Sequence, residues 1–247
     1  MKLSVIIPVF NEENIIEDAL IRIGLYLKGQ EIDDYEILII DDCSSDNSYY
    51  KVLGCIKKIG DETEPNNKIK LYSNLKNRGK GYSILRGLYH ANGDYFLTMD
   101  CDFSTDISEI KKLMKYKKDY DFIVGSRYMS DSIIKKKQTK LRIFYSRCYN
   151  ILIRILFNLN FKDTQNGFKV YTKKSRHLIL KYGKIERYSF DVEHFVICKE
   201  HNLKIKEVGI EWSDNKPQKF TKHIIPMFID LLKIKKYQMR GLYGKNT

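Results

Sequence analysis

Short apolar runs alternate with amphipathic segments through the first half of the chain, and this alternation constrains the fold more than any other feature. Five runs are rich in the β-branched and aromatic residues that favour strands, and they lie at residues 3–9, 36–40, 68–72, 95–99 and 121–124. Between them, apolar residues recur at helical spacing. Strands that alternate with helices predict an α/β fold with a mostly parallel central sheet flanked by helices.

Local signals place the remaining elements. Asn11 is predicted as the N-cap of the first helix, and Ser44, Ser45 and Asp46 offer caps for the second. The polar, lysine-rich segment 130–140 predicts a mobile loop. Further elements are expected as a helix at 79–91, a helix at 141–159, a turn into a short strand at 163–171, a helix at 191–201, a strand at 204–212 and a helix at 224–240.

Charge and cysteine content narrow the class of protein. The 247 residues include 44 Lys+Arg against 31 Asp+Glu, a formal net charge of +13, which favours a phosphorylated substrate, an anionic membrane or nucleic acid as partner. No nucleic-acid-binding motif is present, so nucleic acid is not expected. Five cysteines without a C-x-x-C pair predict free thiols in a reducing compartment. The chain also lacks a signal-peptide pattern and an apolar stretch of about 18 residues, which predicts a cytoplasmic protein.

Unusual polar clusters follow each of the five predicted strands. They read PVFNEEN, DDCSSD, SNLKNRGKG, DCDFSTD and GSR in chain order. In open parallel sheets, ligands bind beyond the carboxyl ends of the strands. The five clusters therefore predict one binding site at that edge of the sheet.

Asp100 and Asp102 form the most specific of these clusters. Residues i and i+2 of an extended segment point to the same side, and two adjacent carboxylates repel unless a proton or a cation lies between them. Oxygen ligands of this kind suit Mg²⁺ or Mn²⁺. The alternative is that the aspartates cap the next helix, and this explanation fits Asp106 better than Asp102.

The basic loop NRGKG is the counterpart of the carboxylates. Gly79 and Gly81 are expected to let the backbone approach a phosphate closely, next to Arg78 and Lys80. The loop matches neither the Walker pattern nor G-x-G-x-x-G.

In this order and spacing, the motifs resemble glycosyltransferase family 2. Two further motifs, DTQNGFKVY and FDVEHFV, resemble the polyprenyl-phosphate and dolichyl-phosphate glycosyltransferases of that family. The resemblance implies the nucleotide-diphospho-sugar transferase (GT-A) fold and inversion at the anomeric carbon. It covers roughly the first 212 residues, which divides the chain into a catalytic domain at 1–212 and a basic amphipathic tail at 213–247.

The resemblance also implies roles for individual residues. Mg²⁺ or Mn²⁺ would be bound by Asp100 and Asp102, and catalysis would involve Asp102, Arg127 and Asp163. The donor-binding residues would be Pro8, Phe10, Glu12, Asp41, Asp42, Lys80 and Asp100. The family usually has glycine where this chain has Cys43, so the turn beside Asp41 is expected to differ.

The chemistry of the acceptor decides whether a base is needed. A phosphate monoester has a second pKa of about 6 and is already a dianion at neutral pH, so it needs cations rather than proton removal. Arg127, Arg142 and Arg147 are the predicted acceptor-binding residues, although Arg142 and Arg147 are equally explained as solvated helix charges.

The predicted function is therefore transfer of a hexose from a nucleotide-diphospho-sugar, UDP-glucose, to a polyprenyl phosphate. The alternative acceptor is a saccharide hydroxyl, for which Asp191 and Glu193 are candidate bases.

The tail predicts contact with a membrane. Apolar residues recur at helical spacing from residue 224 to 232, flanked by Lys222, Lys233, Lys235, Lys236 and Arg240. This pattern fits a helix on an anionic membrane, at its cytoplasmic face, and the alternative is a helix packed on the core or in a dimer.

Overall fold

The computed structural model describes residues 1–30, 34–62, 68–215 and 224–244, without the side chains of 59–62 and 224. The strands are β1 (Lys2–Val9), β2 (Asp34–Asp41), β3 (Ile69–Ser73), β4 (Tyr95–Thr98), β5 (Phe122–Ser126), β6 (Ile133–Lys136), β7 (Lys169–Thr172), β8 (Ile205–Gly209) and β9 (Glu211–Ser213). The α-helices are α1 (Ile16–Lys28), α2 (Ser48–Glu62), α3 (Lys80–His90), α4 (Ile110–Met114), α5 (Lys140–Phe157), α6 (Lys173–Tyr182), α7 (Phe190–Glu200) and α8 (Ile224–Met239).

Seven strands form the central sheet in the order β3-β2-β1-β4-β7-β5-β8. All neighbours are parallel except β7, which runs antiparallel to both β4 and β5. This confirms the predicted α/β fold with a mostly parallel sheet flanked by helices. The strand order reverses between β1 and β4, which is the point where such sheets bind ligands.

Alternation along β1 explains why both faces of the sheet are covered. Val5 and Ile7 point to one face, where they pack with α1 residues such as Ile16, whereas Ile6 points to the other, with Leu88 of α3. Successive side chains of a strand face opposite sides. A strand that is apolar at every position therefore requires helices on both faces.

Three local predictions were wrong. Helix α1 starts at Ile16 rather than after Asn11, because Asn11 has a left-handed φ of 55° and its side-chain oxygen accepts from the Ser45 amide instead. The predicted loop 130–140 contains β6, which pairs with β9 in a separate two-stranded sheet. The predicted single strand 204–212 is divided, since the chain leaves the central sheet at Ile210 to form β9.

Other local predictions need smaller changes. Of the three candidate caps for α2, Asp46 accepts from the Ser48 amide at 2.9 Å. Helix α6 was not predicted from the sequence, although Thr172 and Ser175 form a capping box at its start.

The predicted tail helix is α8, and its inner face belongs to the core. Leu231 and Ile234 are buried, in the cluster that also contains residues of α3, α5 and α7. The predicted tail cation Lys222 lies outside the described residues. In the described part of the chain, none of the helices combines the length and the apolar character needed to cross a membrane.

Gly87 sets how closely α3 approaches β1. A Cβ added there would lie 2.3 Å from Cγ2 of Ile6, whereas a Cβ at Gly54 of α2 would meet nothing within 4 Å. We expect Gly87→Ala to lower the free energy of unfolding by about 1–3 kcal/mol, measured by urea denaturation. As the control, Gly54→Ala should raise it by up to about 1 kcal/mol, because alanine favours helix; equal effects of the two substitutions would contradict this packing.

Candidate active site

A cavity of about 730 Å³ opens at the carboxyl edge of the sheet. It contains residues from all five of the polar clusters predicted from the sequence. The predicted site residues that line it are Pro8, Phe10, Glu12, Asp42, Lys80, Asp100, Asp102, Arg127 and Arg142. Asp41, Arg147 and Asp163 are not among the lining residues.

The carboxylate pair after β4 faces this cavity. Asp100 pairs with Lys80 at 2.6 Å, and each of the two side chains is 37% exposed. Burial raises the pKa of Asp102, and the nearby charge of Asp100 raises it further, while hydrogen bonds from Ser104 oppose the change. Both carboxylates line the same cavity, two residues apart in the chain. Asp106 points elsewhere and accepts from the Ser108 amide at 2.9 Å, as predicted for a cap.

The pair fits a hard divalent cation by the chemistry of its donors. Both residues offer carboxylate oxygens, and a cation between them would relieve the repulsion that raises the pKa of Asp102. Among the described residues there is no cluster of three or more acidic, histidine or cysteine side chains that would complete a metal site. Mg²⁺ commonly takes one or two protein carboxylates and fills its remaining positions with water and substrate phosphates.

Gly167 permits the close contact between Asp100 and Lys80. A Cβ at Gly167 would lie 2.7 Å from Oδ2 of Asp100 and 3.0 Å from Nζ of Lys80. Burial alone would lower the pKa of Lys80, but Asp100 and Asp191 together raise it. Lys80 is therefore a fixed positive charge beside the carboxylate pair.

The Asp42 carboxylate holds the basic loop NRGKG (residues 77–81), called the glycine loop below, in place. It accepts from the amides of Arg78 at 2.9 Å and Gly79 at 2.7 Å, and from the side chain of Asn74 at 2.7 Å. Of the two glycines expected to let the backbone approach a phosphate, Gly79 therefore has its amide already bound to Asp42. Gly79 is required for a different reason, since its φ of 104° disfavours any side chain.

The region predicted for the nucleoside combines an exposed ring with a buried carboxylate. Phe10 is 45% exposed, whereas Asp41 is 2% exposed. The Asp41 carboxylate accepts from the Ser73 hydroxyl at 3.0 Å and the Ser44 amide at 3.3 Å. Cys43, at the position where glycine was expected, has a left-handed φ of 61°, so the backbone keeps the conformation that glycine adopts easily.

Arg127 and Asp163 form a buried, two-pronged ion pair. The guanidinium donates to Asp163 through Nε at 2.7 Å and Nη2 at 2.8 Å, and it lies over the rings of Tyr128 and Trp212. Burial favours protonation of Asp163, but Arg127 outweighs it and lowers the pKa of this carboxyl. Arg127 faces the cavity, and Asp163 holds it from behind.

A second buried pair joins Lys169 of β7 to Asp191 of α7. Burial lowers the pKa of Lys169 and raises that of Asp191, and each residue opposes the change in the other. Asp191 lines the cavity. Glu193 instead accepts from the amides of Lys184 and Ile185 at 2.9 Å, so its carboxylate is engaged in the protein interior.

The other two predicted acceptor-binding residues, Arg142 and Arg147, lie in different surroundings. Arg142 faces the cavity and pairs with Asp214 at 3.1 Å. Arg147 is exposed and lies over the Tyr128 ring, 5.6 Å from its centroid, without lining the cavity. The structure therefore brings Arg127 and Arg142 together and leaves Arg147 outside.

Sequence reasoning missed several lining residues that come from distant segments. They include Gln138, Ser146, Asn166, Arg187, Tyr188, Phe190, Trp212, Asp214 and Met227. Trp212 is the only tryptophan of the chain, and this rarity could have marked it as a candidate site residue. Asn166 is 5% exposed, and its Nδ2 is buried without a partner among the described residues; its place in the NGF motif was the only hint.

Comparisons with known proteins show which proteins this chain resembles. The profile of Glycosyl transferase family 2 matches residues 4–179. A dolichyl-phosphate beta-glucosyltransferase of Dictyostelium discoideum is 32% identical over 254 residues, covering 98% of this chain and 76% of the relative. One from Trichomonas vaginalis is 33% identical over 243 residues, covering 94% and 72%, and the human one is 27% identical over 226 residues, covering 86% and 68%.

Solved structures show the same architecture. Glucosyl-3-phosphoglycerate synthase from Mycobacterium tuberculosis, in complex with Mn²⁺, UDP-glucose and phosphoglyceric acid, matches with a TM-score of 0.70 at 15% identity, covering 95% of this chain and 80% of that one. The same protein with Mg²⁺ and UDP gives a TM-score of 0.69. This likeness confirms the predicted nucleotide-diphospho-sugar transferase (GT-A) fold.

Removing the partner of Arg127 should destabilise the protein. We expect Asp163→Asn to lower the free energy of unfolding at pH 7 by about 3 kcal/mol, since it leaves a buried cation unpaired. The folded pKa of Asp163 is lowered, so its contribution is present above the unfolded pKa of about 4 and is lost as the pH falls through the lower folded pKa. The difference between wild type and variant should therefore shrink in acid.

Urea denaturation between pH 3 and pH 7 measures both effects. The control is Asp34→Asn, which removes an exposed pair with Lys2 and should change stability by less than about 1 kcal/mol. Equal stabilities of the two variants at pH 7 would contradict the assigned role of Asp163.

Proposed function

The chain belongs to glycosyltransferase family 2, and on that basis we propose that it transfers glucose from UDP-glucose to a polyprenyl phosphate of the dolichyl type. One observation carries the proposal: a single cavity holds the carboxylate pair Asp100 and Asp102 beside Lys80, together with two further cations, Arg127 and Arg142. Such a cavity suits a reaction between two phosphorylated substrates. The relatives that match most of the chain are named as dolichyl-phosphate beta-glucosyltransferases.

The donor half of the cavity suits a nucleoside diphosphate. A Mg²⁺ or Mn²⁺ ion held by Asp100 and Asp102 would neutralise the negative charge of the diphosphate leaving group. Lys80 adds a positive charge 2.6 Å from Asp100. Pro8, Phe10 and Glu12 line the adjoining part of the cavity, where the exposed ring of Phe10 offers a stacking surface for the nucleoside.

The family resemblance implies that the Asp41 carboxylate reads the uracil edge, and this stays a prediction, because Asp41 is 2% exposed and does not line the cavity. Asp42 supports the donor side by holding the loop that carries Lys80.

The acceptor half suits a phosphate monoester. Arg127 is held in one orientation by Asp163 and by two aromatic rings, and a fixed guanidinium matches the geometry of phosphate oxygens. Arg142 reaches the same cavity from α5. We assign the acceptor phosphate to these two residues, with Arg147 at the outer surface and Asp163 as the group that positions Arg127.

The reaction then needs no protein base. An oxygen of the dianionic acceptor phosphate forms the new bond to the anomeric carbon, from the face opposite the diphosphate. The bond from that carbon to the diphosphate oxygen breaks, and UDP leaves with the electron pair, which inverts the configuration. Asp191 is paired with Lys169 and is not required as a base for this acceptor.

The alternative acceptor, a saccharide hydroxyl, has one observation in its favour. Asp191 lines the cavity, and burial raises its pKa, as is usual for a general base. Incubation with radiolabelled UDP-glucose distinguishes the two acceptors. Label that moves to the organic phase only when polyprenyl phosphate is added supports the lipid acceptor, and label on a soluble oligosaccharide in the absence of lipid supports the alternative.

The carboxylate pair provides a sharp test of the proposed reaction. We expect Asp102→Asn to lower the rate of glucosyl transfer by at least about a hundredfold, because loss of charge weakens stabilisation of the leaving group. It should also weaken binding of UDP in the presence of Mn²⁺. The matched control is Asp106→Asn, which removes a nearby aspartate that caps the following turn and pairs with the exposed Arg22 without lining the cavity. A fully active Asp102→Asn enzyme would refute the assignment.

Helices α5 and α8 supply a surface for the lipid. On α5, Leu141, Phe144, Ile151 and Ile155 are exposed in one stripe; on α8, the stripe is Ile225, Phe228, Ile229 and Leu232. The helices touch through the rings of Tyr149 and Phe228, 5.8 Å apart. Both also line the cavity, through Ser146 and Met227, so the apolar surface adjoins the proposed acceptor site.

We propose that this surface, defined by the two stripes, rests on an anionic membrane. Its exposed cations include Lys140, Arg154, Lys233, Lys236 and Arg240, which suit acidic lipid headgroups. The five unpaired cysteines favour the cytoplasmic face, where thiols stay reduced.

Binding to vesicles tests the membrane surface. Deleting α8 would also remove Leu231 and Ile234 from the core, so point substitutions are the better design. We expect Ile225→Glu combined with Leu232→Glu to abolish sedimentation with vesicles that contain phosphatidylserine. Leu25→Glu, at a 67% exposed position of α1, is the control and should bind normally. Unchanged binding of the double variant would refute the surface, and a wild-type dimer that the double variant makes monomeric would assign it to a second copy instead.

A further inference from the structure

Arg187 differs from the other cations that line the cavity. Lys80 pairs with Asp100, Arg127 with Asp163 and Arg142 with Asp214. Arg187 has no carboxylate partner among the residues that the structure describes. Within the described part of the chain, its guanidinium donates only to the side-chain and main-chain oxygens of Asn77, both at 3.4 Å. This geometry leaves most of the hydrogen-bonding capacity of Arg187 available to a ligand.

The side chain of Arg187 lies over the glycine loop. A Cβ added to Gly79 would be 2.7 Å from Cγ of Arg187, so the loop and the arginine are in direct contact. The amides of Arg78 and Gly79 already donate to the Asp42 carboxylate. A phosphate beside this loop would therefore meet the side chains of Arg187 and Lys80 rather than those two amides.

The backbone that leads into Arg187 is held in place by several hydrogen bonds. Glu193 accepts from the amides of Lys184 and Ile185, and the Glu186 carbonyl accepts from the Tyr82 amide at 2.8 Å. The hydroxyl of Tyr243 also donates to Glu193, at 2.8 Å. These bonds fix the backbone directly before the arginine, which lowers the entropy cost of binding through it.

We propose that Arg187 is a further phosphate-binding residue of this site. Its ligand is a phosphate oxyanion, either the diphosphate of the donor or the phosphate monoester of the acceptor. A planar guanidinium with free N–H groups matches two oxygens of such a group. The inference rests on the proposed function, because it assumes that both substrates of the cavity carry phosphate.

Titration calorimetry with UDP and Mn²⁺, and transfer kinetics with UDP-glucose and polyprenyl phosphate in detergent, test the proposal. We expect Arg187→Gln to weaken UDP binding, or to raise KM for the polyprenyl phosphate, by roughly 10- to 100-fold. The UDP affinity and the KM of Arg187→Lys should lie between those of Arg187→Gln and wild type. Lysine keeps the positive charge but lacks the planar, two-pronged donor geometry of arginine. Arg22→Gln, which removes the same charge from an exposed pair with Asp106, is the control.

The outcomes separate the two sources of phosphate. Weaker UDP binding assigns Arg187 to the donor, whereas unchanged UDP binding with a raised KM for the lipid assigns it to the acceptor. A wild type that binds UDP and transfers glucose, with Arg187→Gln equal to it in both measurements, overturns the role of Arg187 alone. A folded wild type that does neither overturns the proposed function and this inference with it.

Discussion

Charge balance at the carboxyl edge of the sheet is the constraint on which the site depends. Four carboxylates, those of Asp100, Asp163, Asp191 and Asp214, each face a cation from a different element: Lys80, Arg127, Lys169 and Arg142. An unpaired charge at these partly or fully buried positions would be costly. The pairs therefore join α3, α5, β7 and the end of β5 around one cavity, and three of the four cations, Lys80, Arg127 and Arg142, also line it.

The glycine loop shows how structure can reassign a correctly recognised motif. The sequence NRGKG suggested a backbone cradle for phosphate. In the folded chain, Asp42 takes two of the loop amides, and Lys80 becomes the group that faces the cavity. The loop thus positions a side chain, and the glycines are needed for a positive φ at Gly79 and for close packing at Gly81, where a Cβ would lie 2.5 Å from the Ile185 carbonyl oxygen.

Helices α5 and α8 connect the chemistry to the proposed lipid surface. Each has one face in the core or the cavity and another exposed face that is apolar. The sequence predicted an amphipathic basic helix at 224–240 but left its burial open, because helical periodicity reports that a stripe exists and not what covers it. Burial of Leu231 and Ile234, with exposure of Ile225 and Leu232, is decided by where α5 and α7 lie.

The sequence by itself determined the elements and residues whose signals are local. The alternating pattern fixed the parallel sheet, and the spacing of Asp100 and Asp102 placed both carboxylates on one side of a strand end. Tertiary structure decided the features that depend on contacts between distant parts of the chain. These are the antiparallel position of β7 between β4 and β5 and the pairing of β6 with β9. They also include the buried position of Asp163 behind Arg127 and the contact of Arg187 with Gly79. Residues 79 and 187 are separated by more than a hundred positions, and no local periodicity or spacing records a contact that only packing creates.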